Sequence, residues 1–352
     1  MIIRAAKESE LEELIDLQEL VFRPGEVGAK ERYRSYVRED PTYQLDQSRL
    51  VFDKGRIVAQ LRVWDRKVRV RGAMLRAGGI GSVLVHPEFR GRGYAQALMA
   101  ETDPYFKAAG YDLGLLFSIM GTPFYAAQGW TPIPLPTFKF ESGISVPHDI
   151  QGDVRTLNPE DDLPAVAGIY HSATVQMTGV EVRDESYWTT GPARYRRVFP
   201  PYGVFVQDQL VAYVNFDIDE PEVWVKEACA LWGYEDTYGD LVCKVIDETG
   251  GLKPVTGSLP HNHPFIHHLC QVTGKIPEWH THDEMMVKLV NWKTLTEKLG
   301  GIYVPVGPPE PESDFWKVLL GLTDASFCAP LRPWIGSLNP CGEVFYWWTD
   351  IF

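Results

Sequence analysis

Residues 80–95 read Ile80-Gly-Ser-Val-Leu-Val-His-Pro-Glu-Phe-Arg-Gly-Arg-Gly-Tyr-Ala95. The apolar and β-branched residues at the start predict a buried strand, and His86-Pro87 predicts that the strand ends there. Apolar residues then recur at helical spacing, so a helix is expected to begin near Gly93. The segment therefore predicts a strand, a short glycine-rich turn and a helix start.

The turn between this strand and helix carries two glycines and two arginines. Gly91 and Gly93 let the backbone approach a ligand closely and adopt conformations that a Cβ would hinder. The first amides of a helix have no internal partner and therefore bind anions, and Arg90 and Arg92 add positive charge beside them. The turn predicts a pyrophosphate site. A basic surface turn that only links two elements is the structural alternative.

The first 140 or so residues around this segment alternate between helical and strand patterns. A stripe of apolar residues predicts a helix over Glu8 to Phe22, and Asp112 to Ser118 reads as a buried strand. Pro104 lies inside the helix that starts near Gly93 and is expected to kink or divide it before Gly110 ends it. The other predicted strands are Ile2 to Ala5, Arg49 to Asp53, Ile57 to Val70 and Gly79 to Val85.

A second unit, from about Val154 to Trp292, repeats this outline of strands followed by a helix, which indicates an internal duplication. The corresponding helix start, Gly233-Tyr234-Glu235-Asp236, lacks a glycine-rich basic loop. The second copy is therefore expected to be structural. A stiff proline-rich linker, Val304 to Pro311, leads to an aromatic-rich tail that we expect to dock on the rest of the chain.

Length and composition limit the class of protein. A chain of 352 residues exceeds what one core usually serves, so two or three domains are expected. The net charge of -13 disfavours nucleic acid and membrane surfaces as partners, and it suits either a cationic substrate or mere solubility. The N-terminus lacks a signal-peptide layout, no apolar run could span a membrane, and the five cysteines show no disulfide or zinc spacing. We therefore expect a cytoplasmic protein.

Residues 90–95 resemble the Arg-x-x-Gly-x-Ala signature of the GNAT superfamily of N-acetyltransferases. This resemblance implies acetyl-CoA as cosubstrate, with strand residues contacting its pantetheine arm, loop amides around its pyrophosphate, and Ser118 bordering the thioester. The implied cofactor-binding residues are Val83, Leu84, Val85, Arg90, Gly91, Arg92, Gly93, Tyr94, Ala95, Gln96 and Ser118.

A second stretch, Pro123-Phe124-Tyr125-Ala-Ala-Gln-Gly129-Trp130, is similar to the superfamily's Phe-Tyr-x-x-x-Gly-Phe pattern. A phenol with a pKa of about 10 can protonate a departing thiolate. We therefore expect Tyr125 to act as general acid. The alternative is an aromatic residue that only packs beside the cofactor.

The rest of the chain resembles the family of the mycobacterial enhanced intracellular survival protein. The stretches that carry this resemblance are Ile169-Tyr170 with Gly179 to Trp188, Met285 to Trp292, and Thr349 to Phe352. It implies an α+β fold with tandem GNAT-type mixed sheets flanked by helices and a small C-terminal α+β tail domain. The implied domains are catalytic (1–145), degenerate GNAT-like (150–292) and sterol-carrier-like (293–352).

In that family the terminal carboxylate acts as catalytic base, and Phe352 matches it as the last residue of an aromatic terminus. Burial among aromatic residues would raise the pKa of such a carboxylate. The alternative is a hydrophobic tail that only holds domains together. The tail is shorter than a full sterol-carrier-like domain, which puts its reach into the active site in question.

Two further groups of residues have a functional and a structural interpretation. Glu26, Glu39 and Asp40 could hold a cationic amine, with Glu26 as the candidate substrate residue, but solvated surface carboxylates are the favoured interpretation. The region His261 to Glu284 contains histidines that could bind zinc, but their spacing matches no standard site. A surface loop is the favoured interpretation, and no metal is expected.

The leading hypothesis is an acetyl-CoA-dependent N-acetyltransferase that acts on a primary amine of a small, cationic substrate by direct attack. A non-catalytic acyl-CoA-binding regulatory protein is the alternative from another class, and a metal-dependent activity is a third. A homo-oligomer is compatible with the sequence, which does not identify the amine.

Overall fold

Two seven-stranded mixed sheets form the framework of the protein in the computed structural model, which describes residues 1–118, 121–143, 152–189, 199–218, 221–324, 328–344 and 346. The strands are β1 Ile2–Ala5, β2 Ser48–Asp53, β3 Arg56–Val70, β4 Ala73–Val85, β5 Leu113–Phe117, β6 Thr131–Pro132, β7 Leu135–Phe140, β8 Asp153–Thr156, β9 Tyr202–Val206, β10 Gln209–Ile218, β11 Val223–Ala230, β12 Val255–Gly257, β13 Glu278–His282 and β14 Met285–Leu289.

Helices flank both sheets. They are α1 Leu11–Phe22, α2 Ala29–Arg38, α3 Tyr94–Ala109, α4 Pro123–Ala126, α5 Leu163–Thr174, α6 Glu185–Thr189, α7 Tyr238–Asp247, α8 Pro264–Thr273, α9 Trp292–Leu299, α10 Glu312–Leu319 and α11 Arg332–Ile335. In the described part of the chain, no helix has both the length and the hydropathy needed to cross a bilayer.

The strand order of the first sheet is β1-β2-β3-β4-β5-β14-β6. Listed from the edge strand β8, the order of the second sheet is β8-β9-β10-β11-β12-β7-β13. The two orders correspond strand by strand, except that β14 and β7 each lie in the sheet of the other unit. One inner pair of each sheet is parallel, β4 with β5 and β11 with β12. The duplication predicted from the sequence is confirmed in the topology, and so is the α+β class with tandem mixed sheets.

The exchange links the two predicted units. β7 belongs to the segment 1–145 but pairs with β12 and β13 of the second sheet. β14 belongs to the segment 150–292 but pairs with β5 and β6 of the first sheet. The ranges 1–145, 150–292 and 293–352 therefore remain predictions about segments of the chain, while each sheet takes strands from two of those segments.

α3 runs without interruption from Tyr94 to Ala109 through Pro104, so this proline does not divide the helix, which was one of the two expected outcomes. The buried side chains of Leu98 and Phe106 lie on either side of it, and both are fully buried. Packing of this apolar face against the sheet outweighs the loss of one helical hydrogen bond. The helix ends as predicted, because Gly110 adopts a left-handed φ of 76° and its amide bonds back to Lys107 and Phe106.

The tail docks on the far end of the β3–β4 hairpin, as its aromatic content predicts. Trp316 and Trp334 are buried against hairpin residues such as Val68 in one apolar cluster. Arg71, at the tip of the hairpin, donates hydrogen bonds to the carbonyl oxygens of Leu319 (2.7 Å) and Asn339 (2.9 Å). The regular secondary structure of the described tail consists of the helices α9, α10 and α11 and one β-bridge, between Thr178 and Val344.

Close packing of α3 on the first sheet leads to a stability prediction. A Cβ on Gly114 of β5 would lie 2.6 Å from the Trp130 ring and 3.1 Å from Phe106. We expect Gly114→Ala to lower the free energy of unfolding by about 1–3 kcal/mol through overpacking. Gly168→Ala in α5, where a Cβ meets open space, should instead raise it by about 0.5–1 kcal/mol. Urea unfolding of both variants checks this, and equal stability of the two would contradict it.

Candidate active site

The first feature of the site is a gap between β4 and β5. These strands pair in parallel only from Ala77 to Ile80, after which β4 continues to Val85 beside β3 alone. A register shift in the β3–β4 ladder gives Ser82 a left-handed φ of 51°. In the described residues no strand covers the open edge of β4 beyond Ile80, so backbone groups of residues 83–85 are available to a ligand. The gap lies beside Val83 to Val85, the strand residues for which the resemblance to GNAT folds implied contact with the pantetheine arm.

The loop after β4 places a helix N-terminus at the same gap. Gly91 (φ 75°) and Gly93 (φ 80°) both adopt left-handed conformations, which explains why the turn uses glycine. The first amide to bond within α3 is that of Ala97, which donates to the Gly93 carbonyl oxygen at 3.0 Å. The amides of residues 94–96 therefore have no acceptor within the helix and form an anion site.

The two arginines of the loop differ in the contacts that their side chains make within the protein. Arg92 lies over the Phe89 ring (4.8 Å), donates to the Glu88 carbonyl oxygen (3.2 Å) and lies 3.9 Å from the Asp53 carboxylate. Arg90 is exposed and has no ion-pair partner within the described ranges. Arg92 therefore stabilises the loop, whereas the charge of Arg90 is available to a bound anion.

These groups line one cavity of about 490 Å³. Ten of the eleven predicted cofactor-binding residues surround it, all except Ser118. Val21 and Phe22, at the end of α1, and Phe89, in the loop, complete the wall. Sequence reasoning missed Val21 and Phe22 because they read only as the last apolar positions of a helix stripe.

Ser118 and Tyr125 lie outside this cavity. The Ser118 hydroxyl donates to the Gly121 carbonyl oxygen (2.7 Å), and the Ser118 amide donates to Glu284 (2.9 Å). Tyr125, on α4, packs against the same apolar core as Val83 of β4. Burial raises the pKa of Tyr125, and its hydroxyl makes no hydrogen bond to any described residue.

The acidic residues near α2 have separate surroundings. Glu26 is exposed and pairs with Arg23 at 2.6 Å, and Glu39 pairs with Arg38 at 2.9 Å. Asp40 was expected to be a solvated surface carboxylate, and this expectation is wrong. Asp40 is buried, and its carboxylate accepts a hydrogen bond from Arg62 at 2.8 Å.

The surroundings of Asp40 also determine its charge. Burial alone would raise the pKa of Asp40, but Arg66 and Arg62 outweigh it and hold that pKa below its usual range. Asp40 therefore stays ionised inside the protein and serves the internal ion-pair network, which a sequence without long-range contacts does not reveal.

The histidine region is not a surface loop, because it forms α8 and the edge strand β13. His263 is buried and accepts a hydrogen bond from the Phe265 amide (3.2 Å) as the N-cap of α8. Burial lowers the pKa of His263 to about 4, so it is neutral at pH 7. Among the residues that the structure describes, no group of three His, Cys, Asp or Glu side chains could hold a metal ion.

The corresponding helix start of the second unit has a different chemistry. Gly233 also has a left-handed φ, of 85°, but its amide donates to the carboxylate of Glu235 at 2.8 Å. An acidic side chain therefore occupies a position where the first unit presents free amides and cations. An anion would be repelled here, in agreement with the structural role predicted for the second copy.

The predicted terminal base, Phe352, lies outside the described residues, as do residues 347–351. The last described residue is Tyr346. Its ring packs against the ring of Phe117 at a centroid distance of 4.8 Å. Phe117 ends β5 and precedes Ser118, so the tail lies next to the active-site strand at this point.

Comparison with known proteins identifies the family. The acetyltransferase (GNAT) domain family matches residues 2–133. Over 142 residues the chain is 31% identical to an aminoglycoside 2'-N-acetyltransferase of Mycolicibacterium fortuitum. This alignment covers 38% of this chain and 67% of the relative. The chain belongs to the GNAT family of N-acetyltransferases, whose fold uses acetyl-CoA as cosubstrate.

Solved structures extend the similarity of fold to most of the chain. A GCN5-related N-acetyltransferase from Kribbella flavida has a TM-score of 0.65 at 19% identity, covering 82% of this chain and 70% of that one. Eis1 from Mycobacterium abscessus has a TM-score of 0.57 at 18% identity, covering 82% of this chain and 74% of that one. At these identities the likeness is one of fold.

The unequal engagement of the two arginines predicts unequal effects on cofactor affinity. We expect Arg90→Ala to weaken acetyl-CoA binding roughly tenfold, because a charge-assisted contact to phosphate is lost. Arg92→Ala should weaken it less, since Arg92 is already held by Asp53 and Glu88. Calorimetric titration at two salt concentrations measures both. Equal losses, or a larger loss for Arg92→Ala, would contradict this assignment.

Proposed function

We propose that this chain transfers the acetyl group of acetyl-CoA to a primary amine of a small, cationic substrate by direct attack. The observation that supports this best is the single cavity of about 490 Å³ lined by the open edge of β4, the glycine loop and the N-terminus of α3. Strand backbone for an amide-containing arm and free amides for a pyrophosphate are what coenzyme A requires.

In this proposal the residues of the first unit have distinct tasks. The backbone of Val83 to Val85 hydrogen-bonds the pantetheine arm, the amides of residues 91–96 hold the pyrophosphate, and Arg90 neutralises its charge. Ser118 borders the thioester end. The cosubstrate supplies an activated acyl thioester when bound, so the chain has to position an amine and manage two protons.

Tyr125 is the proposed general acid, which donates its phenolic proton to the departing sulfur. Burial raises the pKa of Tyr125 above its usual value near 10. The proton is therefore present throughout the neutral range and is lost only when the pH rises through that elevated pKa. Activity that depends on this proton should decline only in strongly alkaline solution.

The acceptor is proposed to enter near the end of α1, where Val21 and Phe22 line the cavity. Glu26 lies four residues further along and could contribute to binding an ammonium group, although Arg23 already pairs with it. The net charge of -13 favours cationic molecules in general. The Mycolicibacterium fortuitum relative, named for aminoglycosides, also makes a small polycationic amine a reasonable class to test.

The terminal carboxylate of Phe352 is proposed to accept a proton from the attacking ammonium. The position of Tyr346 beside Phe117, at the end of β5, supports this. A cytoplasmic location and a homo-oligomeric state likewise remain proposals.

Mixing the protein with acetyl-CoA and polyamines, aminoglycosides or peptides tests the activity, and acetyl-CoA binding without coenzyme A release would favour the non-catalytic alternative.

The role of Tyr125 predicts a separation of binding from turnover. Tyr125→Phe should lower kcat by roughly a hundredfold or more, since a general acid is removed, while the affinity for acetyl-CoA stays within about twofold. The wild-type kcat should show no decline attributable to Tyr125 below about pH 10. Steady-state kinetics and calorimetry measure these quantities. Unchanged turnover in Tyr125→Phe would exclude Tyr125 as the acid.

The role of Phe352 can be tested by adding one alanine after it, which moves the carboxylate by about 3.5 Å. We expect kcat to fall at least about tenfold with acetyl-CoA affinity retained, because a misplaced base loses its contact with the amine. An extra residue before the exposed Met1 is the matched control and should change neither quantity. Full activity of the extended enzyme would eliminate the terminal base.

A further inference from the structure

We propose that Glu181 and Tyr346 are positioning residues for the acetyl transfer. In this proposal, which rests on the proposed function, the buried carboxylate of Glu181 holds the C-terminal segment against the end of β5. The second unit, which lacks a cofactor loop of its own, would thus contribute to catalysis by fixing the tail beside the site in the first unit.

Glu181 joins three segments that are distant in sequence. It is 3% exposed, and its carboxylate lies 3.4 Å from the Arg66 guanidinium of β3. Its other carboxylate oxygen accepts a hydrogen bond from the Tyr346 hydroxyl at 3.2 Å. Arg66 in turn lies 3.6 Å from the buried Asp40. A charge removed from water in this way is costly unless paired, so the geometry of its partners is strongly constrained.

The backbone around Glu181 is fixed to the first sheet. The Gly179 amide donates to Arg69 (2.7 Å), the Arg69 amide to Val180 (2.9 Å), and the Val182 amide to Lys67 (2.7 Å). Residues 179–182 therefore pair with residues 67–69 of β3 like a short additional strand. The position of the Glu181 carboxylate is consequently fixed relative to the sheet that carries the candidate site.

Further contacts of Glu343, Val344 and the Tyr346 ring hold the tail beside this hydrogen bond. Thr178 and Val344 form a parallel bridge, and the Glu343 carboxylate accepts a hydrogen bond from the His261 amide at 2.8 Å. The buried ring of Tyr346 then packs on Phe117. Because Phe117 precedes Ser118, we expect loosening of Tyr346 to affect the end of β5.

The test uses two tyrosines that bond to the same glutamate. The Tyr346 hydroxyl donates to the Glu181 carboxylate, whereas the buried Tyr170 hydroxyl donates to the Glu181 backbone carbonyl at 2.7 Å, within the second unit. Tyr346→Phe and Tyr170→Phe each remove one buried hydroxyl with little change of shape. Tyr170→Phe is therefore a matched control for the general cost of a lost hydrogen bond.

We expect Tyr346→Phe to lower kcat about tenfold and to leave the acetyl-CoA KM and Kd within about twofold. Hydrogen exchange of the amides of residues 343–346 should accelerate by a similar factor. Tyr170→Phe should leave both kcat and tail exchange at wild-type values, even if its melting temperature falls as much as that of Tyr346→Phe. A positioning role predicts that only Tyr346→Phe lowers kcat, whereas a merely structural role predicts similar effects of the two variants.

Two results would overturn the proposal: wild-type kcat and tail exchange in Tyr346→Phe, or equal losses of kcat in the two variants. If wild-type protein binds acetyl-CoA but releases no coenzyme A with any amine, the proposed function fails instead. In that case the exchange measurement still decides the positioning claim, because faster tail exchange in Tyr346→Phe alone supports it and unchanged exchange rejects it.

Discussion

The ladder between β5 and β14 is the constraint on which the rest of the molecule depends. β5 leaves β4 after Ile80 and opens the cofactor gap, so its position has to be fixed from its other edge. β14 supplies that edge through five residue pairs, from Met285 with Phe117 to Leu289 with Leu113. Because β14 comes from the end of the second unit, the sheet that carries the candidate site is completed by a strand of the other unit.

This arrangement gives the second unit a structural role although its own helix start lacks a glycine-rich basic loop. At its helix start Glu235 accepts the Gly233 amide, so it offers no anion site, but its end completes the first sheet. Its segment at Glu181 also contacts β3 and the tail. The exchange of strands therefore makes the second unit part of the sheet that carries the proposed cofactor site.

Local chemistry was predictable from the sequence, whereas long-range contacts were not. The glycine-rich turn, its arginines and the flanking strand and helix are contiguous, and ten of the eleven residues predicted to bind the cofactor line one cavity. The exchange of β7 and β14 was not predictable, because the apolar pattern of a strand does not state which sheet it joins. The burial and ion pairs of Asp40 were not predicted, and Glu181 and the wall residues Val21 and Phe22 were missed, for a related reason. Each depends on partners remote in sequence.

The claim at the centre is that each chain carries one acetyl-CoA site, in the first unit, although two units share the fold. Calorimetric titration of the full-length chain with acetyl-CoA measures the number of sites directly. One molecule of acetyl-CoA bound per chain is predicted. Two molecules per chain would show that the acidic helix start of the second unit also binds, and none would show that the cavity beside residues 90–96 is not a cofactor site.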